Sequence, residues 1–314
     1  MNQKRLDDLA SEFKTALDAQ LAGDYGCEFR LPSREAAAQI CRCYLGLLFP
    51  VFYRAKGAKL ESATAESRQY LAEMETLLRE QLCSAMRFDR RCQGEESPAD
   101  IEDRAQELTE ELFGQFPELA GLLASDIGAA FRNDPAAASP EEILLSYPGV
   151  EAITVQRLAH RLYRMGVPFL PRMMTEVAHS HTGIDINPGA SIDESFFIDH
   201  GTGVVIGETA TIGKQVTLYH GVTLGAFNPL RKDEEGLLHR GHENKRHPDL
   251  EDNVTVYPNA TILGGRTRVG HHSVVGGNVW LTHSVQPYSK VTLKDPELVI
   301  YNGVPGVFVG DFSI

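Results

Sequence analysis

From Ile186 to Leu281 an aliphatic residue returns every six positions. Ile186, Ile192, Ile198 and Val204 form one run, and Ile206, Ile212, Leu218 and Leu224 form a second, offset by two. The pattern resumes at Leu250, Val256 and Ile262, then at Val269, Val275 and Leu281. Small residues stand between these positions, among them Gly189-Ala190-Ser191, Gly201-Thr202-Gly203, Ala260-Thr261 and Gly276-Gly277. Six fits neither the 3.6-residue turn of a helix nor the alternation of a strand, so it reads as a structural repeat. A short strand with a tight turn takes about six residues, and three such units close a triangular coil. Each aliphatic residue then points inward and stacks on its counterpart one coil away, giving a continuous core along a solenoid. Short strands in a sandwich, the competing reading, give no reason for a fixed phase.

Upstream the period is helical. Residues 1–22 carry Leu6, Leu9, Phe13, Leu17 and Leu21, Ser33 stands as a cap before Arg34–Leu48, and Ala65–Phe88 holds a stripe from Leu71 to Met86. Gln93–Asp100 reads as a break. Ile101–Phe113 and Pro117–Phe131 follow, the second stopped at Asn133-Asp134-Pro135 because a residue before proline is pushed out of the α region. Ser139 reads as a cap with Pro140 at the first helical position. Pro148-Gly149 reads as a break before Val150–Met165 and Phe169–His179. The expected class is α+β: an all-α N-terminal region, a parallel β-solenoid and a C-terminal tail. The expected limits are 1–115 for a helical extension, 116–181 for a second helical domain, 182–293 for the solenoid with an insertion at 225–249, and 294–314 for the tail.

Charge narrows the partners. The 314 residues hold 30 basic and 43 acidic side chains, a net charge of −13, so nucleic acid and anionic membrane surfaces are not expected partners. The longest apolar run, Tyr44 to Tyr53, carries Pro50 and is shorter than the roughly 20 residues that span a bilayer. The N-terminus has no signal-peptide core, so a cytoplasmic location is expected. Cys27, Cys41, Cys43, Cys83 and Cys92 are odd in number and lack a paired CxxC, which predicts reduced thiols. No metal is expected, Cys41 and Cys43 reading as two helix-borne thiols.

Two stretches carry candidate chemistry. Asp199-His200-Gly201-Thr202-Gly203 puts an imidazole and a carboxylate on a coil of small residues, and an imidazole titrates where a general base is useful at neutral pH. Asp185 lies less than one coil upstream, where a carboxylate on one ring nitrogen would fix the tautomer. A hydrogen-bonded structural histidine is the alternative. Lys245-Arg246-His247-Pro248 closes the insertion; Arg246 offers a fork that grips a carboxylate and His247 a second donor, the alternative being a solvated charge run. The insertion is either a substrate loop or a solvated decoration. The tail, ending Gly310-Asp311-Phe312-Ser313-Ile314, is either disordered or a peptide for a partner's pocket.

These residues together carry a resemblance. Asn133-Asp134-Pro135, Ile184-Asp185-Ile186-Asn187-Pro188-Gly189-Ala190, Asp199-His200-Gly201-Thr202-Gly203-Val204-Val205-Ile206-Gly207-Glu208-Thr209, Val222-Thr223-Leu224-Gly225 and Arg246-His247-Pro248 resemble the serine O-acetyltransferases among the hexapeptide-repeat acyltransferases. The resemblance implies a left-handed parallel β-helix and transfer of acetyl from acetyl-CoA to the L-serine hydroxyl, the first step of cysteine biosynthesis, with no permanently bound cofactor. It implies His200 backed by Asp185 as the base, Asp134 and Asp199 on the serine ammonium and hydroxyl, and Arg246 with His247 on its carboxylate. For acetyl-CoA it points to Gly225, Ala226, Pro258, Gly276 and Gly277. It further implies a trimer or hexamer with the site between subunits, L-cysteine as feedback inhibitor, and O-acetylserine sulfhydrylase as a partner through Ile314. The sequence departs from the family at Ala226, where a second glycine is usual, at Val256-Tyr257-Pro258-Asn259, where Ile-Gly-Ala-Gly is usual, in the longer insertion, and in the first ~110 residues. The rival readings are a solenoid enzyme with another hydroxyl acceptor, a zinc enzyme gathering His200, His220 and His247, and a non-enzymatic solenoid acting through its Ile314 tail.

Overall fold

A computed structural model describes residues 2–20, 31–50, 63–89, 97–227 and 244–294. Among the described residues eight helices precede the repeat: α1 (Gln3–Gln20), α2 (Arg34–Leu48), α3 (Ala63–Phe88), α4 (Pro98–Gly114), α5 (Phe116–Asn133), α6 (Pro140–Ser146), α7 (Pro148–Arg164) and α8 (Leu170–Thr182). Two expected breaks are helix starts instead. Pro98 follows the cap Ser97 in a capping box with Asp100, and Pro148 opens α7. Proline breaks a helix interior but suits the first turn, where its missing N–H has no partner to lose. Ser139 caps α6 as expected.

Cys41, Cys43 and Tyr44 of α2 pack with Met74, Leu78 and Leu82 of α3, Leu158 and Leu162 of α7, and Met174 of α8. Burial pushes the Cys41 thiol up to about 12 and Cys43 to about 11, so both act as small apolar groups. The apolar face of α1 is exposed at Leu6, Leu9 and Phe13. Cys27 and Cys92 lie outside the described residues.

The repeat folds into three parallel sheets, one per side of a triangular solenoid. The first holds β1 (Asp185–Ile186), β4 (Val205–Ile206), β7 (Thr223–Gly225), β10 (Thr261–Leu263) and β13 (Trp280–Leu281). The second holds β2 (Ser191–Ile192), β5 (Thr211–Ile212), β8 (Asp249–Leu250) and β11 (Arg268–Val269). The third holds β3 (Phe197–Asp199), β6 (Thr217–Tyr219), β9 (Thr255–Val256), β12 (Val274–Val275) and β14 (Lys290–Val291). In the ladders Ile186, Ile206, Leu224, Ile262 and Leu281 lie side by side, and Ile198, Leu218, Val256, Val275 and Val291 form the matching row. The two-residue phase slip after Val204 has a cause: the corner from β3 to β4 is longer than the later corners from the third sheet to the first. That corner carries Asp199 and His200. Most of the insertion, which separates β7 from β8, lies outside the described residues, as does the tail with Ile314.

The helical region closes the first coil. Arg157 of α7 gives two hydrogen bonds to Asp126 of α5, at 2.7 and 2.9 Å, and one each to the carbonyls of Ile192 (3.0 Å) and Asp193 (2.9 Å). Gln156 donates to the Ala190 carbonyl at 2.9 Å, and His160 Nδ1 lies 2.7 Å from that of Pro188. Asp126 accepts the Phe196 amide and Ser125 the Ser195 amide, each at 2.9 Å. Among the described residues no helix is long and apolar enough to cross a membrane.

The Arg157–Asp126 side chains are 4% and 3% exposed, so removing one partner strands a buried charge. Arg157→Ala is expected to destabilise the fold by about 3–5 kcal/mol. The exposed pair Arg104–Glu107 is expected to contribute under about 1 kcal/mol, so Arg104→Ala serves as the reference. Urea unfolding followed by circular dichroism makes the comparison; equal losses would reject the joint as a main contributor.

Candidate active site

The solenoid exposes its chemistry at corners, because strands of two or three residues turn their aliphatic positions inward. His200 sits on the long corner with φ 58°, in the left-handed region that costs a non-glycine residue about 1–2 kcal/mol. The corner is held by Gly201, also at positive φ (83°), where a Cβ would run into Ile184 at 2.4 Å. The His200 side chain is 72% exposed, and its Nδ1 is 3.6 Å from Asp199 Oδ1. One coil on, His220 lies with its ring centroid 5.8 Å away and its plane tilted by 54°.

Asp134, at the end of α5, joins this corner from the helical side. Its carboxylate accepts a short hydrogen bond from the Tyr147 hydroxyl and a 2.8 Å bond from the Ala136 amide. These bonds, chiefly that of Tyr147, hold Asp134 below the usual carboxylate range, with His200 adding to the effect. Tyr147 is pushed up to about 12, first by its bond to Asp134 and further by Glu142 and Asp199. Tyr219 is raised by burial, then by Tyr257, Asp199 and Asp134. Two carboxylates and an imidazole therefore converge on one corner, walled by Tyr219 stacked on Tyr257 (centroids 5.0 Å, planes 10° apart).

The geometry of Asp185 differs from the expectation. Its ladder partner is Val205, and its Oδ1 is taken by Arg172 of α8 at 3.2 Å; no hydrogen bond joins it to His200 in the single chain. Arg172 also pairs with Glu176, which contacts His179 Nδ1 at 3.2 Å. Glu176, His179 and Asp185 offer ligand atoms within 4.8 Å of one another. With a guanidinium bonded to both carboxylates, this cluster reads as an ion-pair network.

Arg246 and His247 occupy a different corner, between the first and second sheets. Arg246 pairs with Glu208, whose other oxygen accepts from Tyr163 of α7 at 3.0 Å. His247 Nδ1 accepts from the Thr209 amide (3.1 Å) and lies 2.9 Å from Thr209 Oγ1. Gly207 permits this, since a Cβ there would lie 2.0 Å from the ring. Glu208 and Thr209, both in the string that carries the resemblance, thus position Arg246 and His247, a pairing that no local pattern in the sequence signals. Of the residues assigned to acetyl-CoA, Gly277 meets Pro258 on the His200 corner, two coils and more along it, with Gly276 adjacent, whereas Gly225 and Ala226 lie at the end of β7. His247 is thus apart from His200 and His220, and one chain does not gather the three histidines of the zinc reading.

No family model matches the chain. It is 48% identical over 259 residues to a plasmid serine acetyltransferase of Synechococcus elongatus, covering 82% of this chain and 80% of that protein. It is 42% identical over 182 residues to the serine acetyltransferase of Bacillus subtilis, 58% of this chain and 78% of the relative. Among solved structures, Entamoeba histolytica serine acetyltransferase 1 in complex with L-cysteine matches with TM-score 0.69 and 33% identity, over 81% of this chain and 86% of that one. The Neisseria gonorrhoeae serine acetyltransferase in complex with serine matches with TM-score 0.51 and 25% identity, over 89% and 97%.

His247 offers a test by pH. Burial first, then Arg246, lowers it to about 4, against about 6.5 in an unfolded chain. Between these values the unfolded chain binds a proton that the fold excludes. Its contribution to stability is therefore complete above about pH 6.5 and is lost as pH falls toward 4. His247→Asn, which keeps an acceptor but cannot protonate, is expected to flatten the decline of urea midpoint over that window. Parallel declines in the two proteins would reject a neutral, buried imidazole.

Proposed function

This chain belongs to the serine acetyltransferase family, acyltransferases of cysteine biosynthesis, and from that premise we infer that it acetylates the hydroxyl of L-serine by direct transfer from acetyl-CoA. The observation that carries the reading is the convergence of Asp134, Asp199 and His200 on one exposed corner.

In this reading His200 takes the proton of the serine hydroxyl as the oxygen attacks the thioester carbonyl. The tetrahedral oxyanion collapses, the C–S bond breaks, and the proton on His200 goes to the departing thiolate. Asp134 and Asp199 bind the ammonium and hydroxyl of serine, supported by the bond that keeps Asp134 ionised. Arg246 and His247 bind the carboxylate. Asp185 is assigned to orient His200 on the sequence resemblance alone, since its Oδ1 is bonded to Arg172. No cysteine follows Cys92, so an acyl-thiol intermediate has no candidate within the solenoid.

Since the carboxylate clamp and the base occupy different corners of one chain, the reading calls for a neighbouring copy that brings one corner to the other. We assign a trimer with three such sites, whose further pairing into a hexamer involves the helical region. Acetyl-CoA is assigned to the corner of Pro258, Gly276 and Gly277, with Gly225 and Ala226. L-cysteine is taken as a competitor for the serine position, supported by the Entamoeba relative solved with it. O-acetylserine sulfhydrylase is assigned to Ile314 on sequence resemblance alone, and a cytoplasmic location follows from the substrates.

His200→Ala is expected to lower kcat for serine-dependent CoA release by about 10²–10⁴-fold. Release with other hydroxyl acceptors but not serine would move the activity to another acceptor class. The shared site has its own test: His200→Ala and Arg246→Ala subunits, inactive alone, are expected to regain about a quarter of wild-type activity when co-assembled at random in trimers. No recovery on co-assembly would place both residues in one subunit's site.

A further inference from the structure

We propose that Thr209 is the positioning residue of the acceptor-carboxylate clamp, one hydroxyl fixing both the backbone that presents Arg246 and the tautomer of His247. The proposal rests on the reading that Arg246 and His247 bind the serine carboxylate.

Thr209 Oγ1 lies 2.8 Å from the Arg246 amide, 3.0 Å from the His247 amide and 2.9 Å from His247 Nδ1. A hydroxyl has one proton and two lone pairs. The two amides fill the lone pairs, so the proton is directed to Nδ1. The Thr209 amide also donates to Nδ1, at 3.1 Å. With two donors aimed at it, Nδ1 carries no hydrogen, and the neutral ring holds its proton on Nε2. Nε2–H is the donor a carboxylate requires. A ring with the opposite tautomer would present a lone pair to the anion and repel it.

Thr209 also anchors the chain at a demanding point. After the insertion the described backbone resumes at 244 and returns through 244–248 to β8, beside the second coil. The two amides gripped by Thr209 are the first ladder-like contacts of that return. β-Branching restricts the Thr209 rotamer, so the hydroxyl is held in place before substrate arrives. Next to it Glu208 takes the Arg246 guanidinium, and the two neighbours together set the direction of both clamp side chains.

The test compares L-serine with L-serinamide, which keeps the hydroxyl and ammonium but lacks the carboxylate. Thr209→Val preserves shape and removes all three hydroxyl contacts. It is expected to raise KM for serine about 10–100-fold, leaving KM for acetyl-CoA and the constants for serinamide unchanged. Thr209→Ser is expected to restore the preference for serine. A Thr209→Val enzyme that still prefers serine as wild type does would overturn the proposal. A uniform loss with both acceptors would overturn it as well, by showing a merely structural role. Arg246→Ala and His247→Ala are run alongside: if they retain the preference, the clamp reading itself fails; if they lose it while Thr209→Val does not, only Thr209's role fails. Should Thr209→Val not assemble, imidazole ¹⁵N NMR of the wild-type protein decides. An Nε2–H tautomer at His247 is expected, and an Nδ1–H tautomer would overturn the assignment.

Discussion

A solenoid coil is completed by the coil before it, and the first coil has none. The carbonyls of Pro188, Ala190, Ile192 and Asp193 and the amides of Ser195 and Phe196 belong to that open end. Left buried and unbonded, each would cost about 1–3 kcal/mol. α7 and α5 meet them with side chains, and the Arg157–Asp126 pair stands at the centre. Burial pushes the Asp126 carboxyl up, while bonds from Arg157 and the Phe196 amide oppose it. With both its oxygens bonded to a guanidinium, Asp126 is best described as the anion. A buried ion pair adds little net stability over a well-packed apolar pair, so its value here lies in direction. It fixes which helix faces which edge.

That constraint determines where chemistry can stand. The interior is filled by stacked aliphatic side chains, so functional groups are confined to corners and outward positions. A triangular coil gives three corners, and the candidate groups use two of them. A side of about six residues at about 3.3 Å each separates adjacent corners by up to roughly 20 Å. No side chain closes that gap. A closed three-fold ring sets one corner of each copy against a different corner of its neighbour at every interface. The proposed trimer would close that gap by seating the His200 corner of one copy against the Arg246 corner of the next.

Much of this was legible in the sequence because the solenoid is a one-dimensional object. The six-residue period located the core rows, and Ser33, Ser139 and Asn133-Asp134-Pro135 marked helix ends where they are observed. Pro98 and Pro148 misled because proline breaks and begins helices with the same residue. The expected limit of 293 takes in the last coil, although the six-residue rows read from the sequence stop at Leu281. Val285 and Val291 keep the six-residue step, but the link from Leu281 is short and shifts the phase. Asp185 next to His200 followed from counting along the coil, yet the side chain meets Arg172, which reaches it from another element. Thr209 and Arg246 are separated by the insertion, so no local pattern pairs them; only the return of the chain does.

The helical region is thus more than a lid on the solenoid. α7 begins at Tyr147, whose hydroxyl holds Asp134 beside the His200 corner, and ends near Tyr163, whose hydroxyl holds Glu208 and through it Arg246. Between them Gln156 and Arg157 bolt the helix to the first coil. At about 1.5 Å per residue, the helix places these two tyrosines about 24 Å apart. One rigid rod therefore touches both halves of the proposed site and sets the distance between them within a chain. Displacing α7 along its axis would move Asp134 and Arg246 together, so the solenoid alone, though it carries the base, does not define the acceptor site.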